Sequence, residues 1–161
     1  MASFPEETIA LLNAVAGGYD RVIGLRYVSA TPTECVAEIE VGDAHRQPYG
    51  LVHGGVYAGM IESVCSAGAA LHVMAEGKST VGLENSTSFL RAVRSGTLRC
   101  TARPAFLGRR THLWEAEIHD STGRLVATGR VRMIVLEADA KAAGERIDIA
   151  HPTESAPKEG E

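Results

Sequence analysis

Cysteine is scarce in this chain and badly placed for cross-linking. Cys35, Cys65 and Cys100 are three in 161 residues, far apart and without Cys-x-x-Cys spacing. That excludes a disulfide framework and the usual zinc spacings, so reduced core thiols are expected and no metal is. A basic excess is missing as well: Lys and Arg number 16 against 20 acids, which argues against a nucleic-acid partner. The segment from Met1 to Glu7 is polar, without a basic start followed by an apolar run. No run reaches about 18 uninterrupted strongly apolar residues, because Glu62 divides the best candidate. The chain is therefore expected to be cytoplasmic and to have no membrane partner.

With 45% apolar residues in 161, one domain with a proper core is expected. The charge is unevenly placed. Residues 137–161 hold seven acids against Lys141, Arg146 and Lys158, which equals the whole net charge of −4. That stretch, rich in Ala, Glu, Lys and Pro, reads as a flexible acidic tail behind a domain at 1–136.

The domain is organised around Gln47 to Glu76, QPYGLVHGGVYAGMIESVCSAGAALHVMAE. A polar turn leads into a long run of small and apolar residues that reads as a helix from Gly54, closed by Gly77. Each internal glycine costs about 1 kcal/mol of helix propensity relative to alanine, so something must approach this helix closely. Glu62 is the one acid in its middle, and an ionisable group there is either expensive or useful.

Around the helix the periodicities change. Pro5 to Ala16 carries Ile9, Leu11, Leu12 and Val15 at the spacing of a short amphipathic helix ended by Gly17-Gly18. Val22 to Val28 reads as extended. Residues 34–41 alternate strictly, with Cys35, Ala37, Ile39 and Val41 on one side, as a half-buried strand does. Extended segments follow at 80–93, 97–105, 111–120 and 124–136, and Gly96, Gly108 and Gly123 punctuate them as in an antiparallel meander. The expected fold is α+β: a six-stranded antiparallel sheet curled around one long helix, with a short N-terminal helix.

The strings HRQPYGLVHGGVYAGMIESVCS, GLENSTSFLRAV and DSTGRLVATGRVRM resemble the hotdog-fold acyl-CoA thioesterases over about residues 20–136. Within that family the likeness is to the phenylacetate-pathway (PaaI-like) and Arthrobacter-type 4-hydroxybenzoyl-CoA branch. The resemblance implies that the Gly54 N–H polarises a thioester carbonyl with help from Gln47. It implies that Glu62 is nucleophile or general base, with the Ser66 hydroxyl near it. It places Gly55, Asn85, Arg91 and the Gly108-Arg109-Arg110 turn on the coenzyme A side, although the 4-hydroxybenzoyl-CoA enzyme has Ser-Thr where Arg109-Arg110 stand. No separate cofactor is implied, since coenzyme A belongs to the substrate. A free helix N-terminus supplies N–H groups where an oxyanion develops, in agreement with that chemistry.

His53 is read as bracing the loop ahead of the helix rather than as a base, and Trp114 as core. Six arginines between Asn85 and Trp114, with no acid among them, read as a landing surface for coenzyme A phosphates. Gly54 and Glu62 lie eight residues apart on one helix, about 12 Å along its axis. One thioester carbon cannot reach both, so the acid is expected from a second, antiparallel copy, giving a homodimer with two shared sites; family behaviour adds a dimer of dimers. Two other functions stay open on the sequence. One is a hotdog hydratase or dehydratase, whose histidine motif is not found here. The other is a non-catalytic acyl-CoA-binding protein, against which the presence of Glu62 argues.

Overall fold

The computed structural model describes residues 6–147. Helix α1 (Glu6–Val15) and a five-residue helix α2 (Gly18–Val22) precede strands β1 (Arg26–Thr31) and β2 (Glu34–Glu40). The long helix α3 (Gly54–Val73) follows, extended by a 3-10 turn at Met74–Glu76. Strands β3 (Ser79–Phe89), β4 (Thr97–Leu107), β5 (Thr111–His119) and β6 (Leu125–Leu136) complete a six-stranded antiparallel sheet in the order β1-β2-β4-β5-β6-β3. Helix α3 touches every strand of this sheet. The fold is the hotdog arrangement, a sheet wrapped round one central helix.

Three expectations change. The run expected to be extended from Val22 to Val28 becomes a strand only at Arg26: Val22 closes a short helix that begins at Gly18, the Leu25 N–H returns to the Asp20 carbonyl, and Gly24, at φ 65°, turns the chain into β1. The four later strands are not a simple meander: β4, β5 and β6 are, but β3 crosses over to pair with β6 and ends on the sheet edge. The stretch read as a tail from 137 begins with a two-stranded hairpin, β7 (Lys141–Ala142) and β8 (Glu145–Arg146). The rest of that expected tail, like Pro5 at the start of the expected first helix, lies outside the described residues.

The core is continuous from sheet to helix. Met60, Ile61 and Val64 of α3 are fully buried against Leu98, Trp114, Ile118, Val131 and Met133. All three thiols lie in this core, and burial pushes Cys35 up to about 12, far from a nucleophile at neutral pH. By length and composition α3 could cross a membrane, but here it is the core helix of the domain.

Close approach accounts for the helix glycines. A Cβ on Gly68 would lie 2.5 Å from the Trp114 ring, and one on Gly59 would run into the Tyr19 ring of α2. Trp114 is fully buried and cannot give way, whereas Tyr19 is half exposed. Gly68→Ala is therefore expected to lower stability by about 1 kcal/mol in urea unfolding, the overpacking outweighing the propensity gain; an unchanged or higher stability contradicts this contact.

The β5–β6 turn is held by Asp120. Its carboxylate accepts from the Thr122 hydroxyl at 2.7 Å and from the Arg124 guanidinium at 2.7 Å and 2.9 Å, with the Thr122 and Arg124 N–H groups adding two more bonds. The Thr122 bond above all, then the Arg124 bonds, hold this carboxyl well below the usual carboxylate range. A depressed carboxyl stabilises the fold above its ordinary value of 3.8 and loses that contribution as pH falls. Asp120→Asn should lower the thermal midpoint at pH 7, with the gap to wild type narrowing as pH is taken below 3.8; a gap independent of pH contradicts the assignment.

Candidate active site

The loop ahead of α3 is closed on itself by three backbone bonds: Gln47 N–H to the Leu51 carbonyl, Gly50 N–H to the Gln47 carbonyl, and His53 N–H to the His45 carbonyl. His53 caps α3, its Nδ1 accepting from the Gly55 N–H at 2.8 Å. The brace expected of His53 is thus a helix cap. It also disposes of Gly55, whose N–H is spent within the helix and whose carbonyl accepts from the Tyr19 hydroxyl at 3.3 Å. The Gly54 N–H has no partner among the described residues. Of the first N–H groups of α3 it is the one left to a ligand.

Gly54 opens onto a cleft of about 300 Å³. Gln47, Val52, Tyr57, Phe89 and Arg91 line it. Gln47 Oε1 accepts from the Tyr49 N–H, which fixes the side chain at the cleft wall. Phe89, at the end of β3, lies over Gly54 where a Cβ would collide with its ring, and packs at a tilt against the Tyr57 ring, centroids 5.9 Å apart. Arg91 donates to the Leu125 carbonyl. Gln47, Gly54 and Arg91 are thus brought together at one end of α3.

Glu62 stands half-buried in the middle of α3, facing β3. Its Oε2 accepts from Asn85 Nδ2 at 2.9 Å, and its Oε1 rests against Gly82, where a Cβ would clash. Asn85, expected among the groups that contact substrate or coenzyme A, contacts the acid. Ser66 lies one turn further on the same face, half-buried and without a side-chain hydrogen bond among the described residues. Ser63 went unnoticed in the sequence: its hydroxyl donates to Asp20 at 2.5 Å and its carbonyl accepts from the Tyr27 hydroxyl, tying α2 and β1 to α3 beside Glu62.

Gly108 and Arg109 lie at the opposite end of α3. They line a cleft of about 240 Å³ with His72, Lys78 and His112, and Arg110 is exposed beside them. His112 is buried, and its Nδ1 has no partner among the described residues; burial, then the His72 ring at 5.5 Å, lowers its basicity. The six-arginine surface does not hold together. Arg99 and Arg103 pair with Glu38 and Glu34 of β2 across the outer sheet face, and Arg94 bonds the Tyr49 carbonyl. Acids distant in sequence supply counter-charges that the arginine segment itself lacks.

The thioesterase superfamily pattern matches residues 49–127, which include all of α3 and most of the lining of both clefts. The proofreading thioesterase EntH of Cronobacter turicensis is 34% identical over 130 residues, covering 80% of this chain and 94% of its own length. The 1,4-dihydroxy-2-naphthoyl-CoA hydrolase of Escherichia coli K12 is 32% identical, covering 80% and 95%. The solved thioesterase HI1161 of Haemophilus influenzae superposes with a TM-score of 0.77 at 28% identity, covering 85% of this chain and 94% of that one. The chain belongs to the thioesterase superfamily. It is an enzyme of the thioester-hydrolase class.

The cap makes a separable prediction. His53→Ala is expected to cost about 1 kcal/mol of stability, while His53→Asn, a good capping residue, restores most of it. Thermal unfolding of both variants checks this, and equal loss in both would contradict capping.

Proposed function

We propose that the protein hydrolyses an acyl-coenzyme A to a carboxylic acid and coenzyme A, in a homodimer. Each of its two sites takes the Gly54 N–H from one protomer and the Glu62 carboxylate from the other. The observation that carries this reading is the free Gly54 N–H in a cleft, with the only acid of α3 held about 12 Å further along the same rigid helix. The Gly54 N–H and the positive end of α3 stabilise the oxyanion as the carbonyl carbon is attacked, with Gln47 orienting the carbonyl. Glu62 either attacks that carbon, giving an acyl anhydride that water then hydrolyses to the free acid and the regenerated carboxylate, or takes a proton from the water that attacks directly. A carbon–oxygen bond forms, the carbon–sulfur bond breaks, and sulfur leaves as thiolate.

The sheet edges support a dimer. Asn13 of α1 bonds both backbone groups of Tyr27 and so closes the β1 edge. The eleven-residue β3 forms the other edge, with Leu83 and Phe89 more than half exposed on it, and a second β3 is a ready partner. Antiparallel pairing there would bring the Gly108–Arg109 cleft of one chain toward the Arg91 cleft of the other, where the phosphates of coenzyme A can meet both, with Arg110 beside them. An apolar groove of about 200 Å³ between α1 and α3, lined by Leu11, Leu12, Ala67, Ala70 and Met74, suits an aromatic or short to medium acyl group. Hydrolases of coenzyme A thioesters among the relatives support the substrate class. The HGG helix start followed by Glu62 and Ser66 supports the PaaI-like branch, and three buried thiols suit the cytosol.

Mixing two inactive variants tests the shared site. Glu62→Gln removes the acid, and Gly54→Pro removes the N–H at a helix position whose backbone accepts proline, displacing the exposed Phe89 ring that lies over it. A dimer of each variant by size-exclusion chromatography shows that both still fold. Each homodimer should be inactive. After unfolding and refolding together, an equal mixture should recover about a quarter of wild-type thiol release, because half the dimers carry one intact site out of two. No recovery, or full activity of Glu62→Gln alone, contradicts the reading.

A further inference from the structure

We propose that Asn85 and Thr87 form a clamp that fixes the working orientation of Glu62; this rests on the reading of Glu62 as the acid of the reaction. Side chains of a strand alternate between faces, so Gly82 and Asn85, three residues apart, would ordinarily point to opposite sides. A bulge prevents that. Gly82 pairs with Met133 and Glu84 with Arg132, so Leu83 is an extra residue and both Gly82 and Asn85 turn toward α3 at Glu62.

The Asn85 amide is fully used in one orientation. Its two N–H groups go to the Ala58 carbonyl at 3.1 Å and to Glu62 Oε2 at 2.9 Å. Its Oδ1 accepts from the Thr87 hydroxyl at 2.7 Å. Turning the amide over would set Oδ1 against a carbonyl and a carboxylate oxygen, so the acceptor-only Ala58 carbonyl selects the donor that faces the acid, and the Thr87 hydroxyl anchors the amide in place through Oδ1. Room for Thr87 is provided across the sheet by Gly129, its register partner on β6, where a Cβ would come 2.9 Å from Thr87 Oγ1. One carboxylate oxygen is thereby held by a donor, and the other lies against the bare Cα of Gly82. A side chain with three free torsions is reduced to one pose, the pose in which the acid can meet a carbonyl presented from outside the chain.

Displacement of a reacting group by about 1 Å costs on the order of a hundredfold in rate. Steady-state thiol release from benzoyl, phenylacetyl and short-chain acyl-CoAs, measured on the full chain, separates the clamp from its neighbours. Thr87→Val, which keeps the shape and deletes the hydroxyl, is expected to lower kcat about tenfold or more with KM within about twofold. Thr87→Ser should restore kcat, Asn85→Ala should match or exceed the loss in Thr87→Val, and the unfolding midpoints of the two Thr87 variants should agree. Wild-type kcat in Thr87→Val beside an inactive Glu62→Gln overturns the clamp alone. A loss confined to KM would make these residues substrate contacts and also overturns it. Full turnover in Glu62→Gln removes the role of the acid and the clamp together. Should Asn85→Ala fail to fold, the two Thr87 variants still decide the matter.

Discussion

Helix α3 is held closer to its surroundings than side chains would allow, and the placement of the two groups proposed to react follows from that. Trp114 packs on Gly68, Tyr19 on Gly59 and Phe89 over Gly54. These contacts fix the helix in the concave face of the sheet, against a fully buried layer of strand side chains. A rigid helix then sets the separation of everything it carries. The Gly54 N–H emerges at the mouth of one cleft, and Glu62 meets β3 two turns further on, with neither free to move toward the other.

That separation makes a single protomer an incomplete hydrolase on the proposed reading. The chain is finished on one side, where Asn13 closes the β1 edge, and unfinished on the other, where β3 lies open with apolar side chains exposed. The groups that would grip coenzyme A are divided in the same sense, Arg91 at the start of α3 and Arg109 at its far end. On that reading, pairing two copies through β3 would satisfy the edge, join the halves of the proposed grip and set each Glu62 opposite a Gly54. Local devices then serve one chain at a time: His53 uses up the Gly55 N–H and leaves that of Gly54, and the bulge in β3 turns Asn85 toward the acid.

Much of this was readable before any coordinates. The long helix, its start at Gly54, its closure by Gly77 and the acid in its middle follow from composition and spacing, as do most of the strands from their alternation. The close contacts on the helix glycines were implied by their cost, though not which rings make them. What was illegible depends on partners distant in sequence. Nothing within Thr97–Arg110 announces that Glu34 and Glu38 neutralise Arg103 and Arg99, and nothing local says that β3 crosses to β6. The bulge had a faint signal in Gly82, a glycine inside a strand pattern, but only the register with β6 shows that Leu83 is the extra residue and that Asn85 faces inward. The strand expected from Val22 starts only at Arg26, because Val22 and Ile23 look extended while the turn at Gly24 decides the conformation before β1.

The most direct measurement is a crystal structure of the protein with an acyl-CoA analogue in which a methylene replaces the sulfur, leaving an unreactive ketone. On the proposed arrangement the ketone oxygen sits about 3 Å from the Gly54 nitrogen of one chain, and the carboxylate reaching its carbon is Glu62 of the other. A ketone contacted by both groups of the same chain, or a Glu62 turned away from it in every copy, would contradict the shared site.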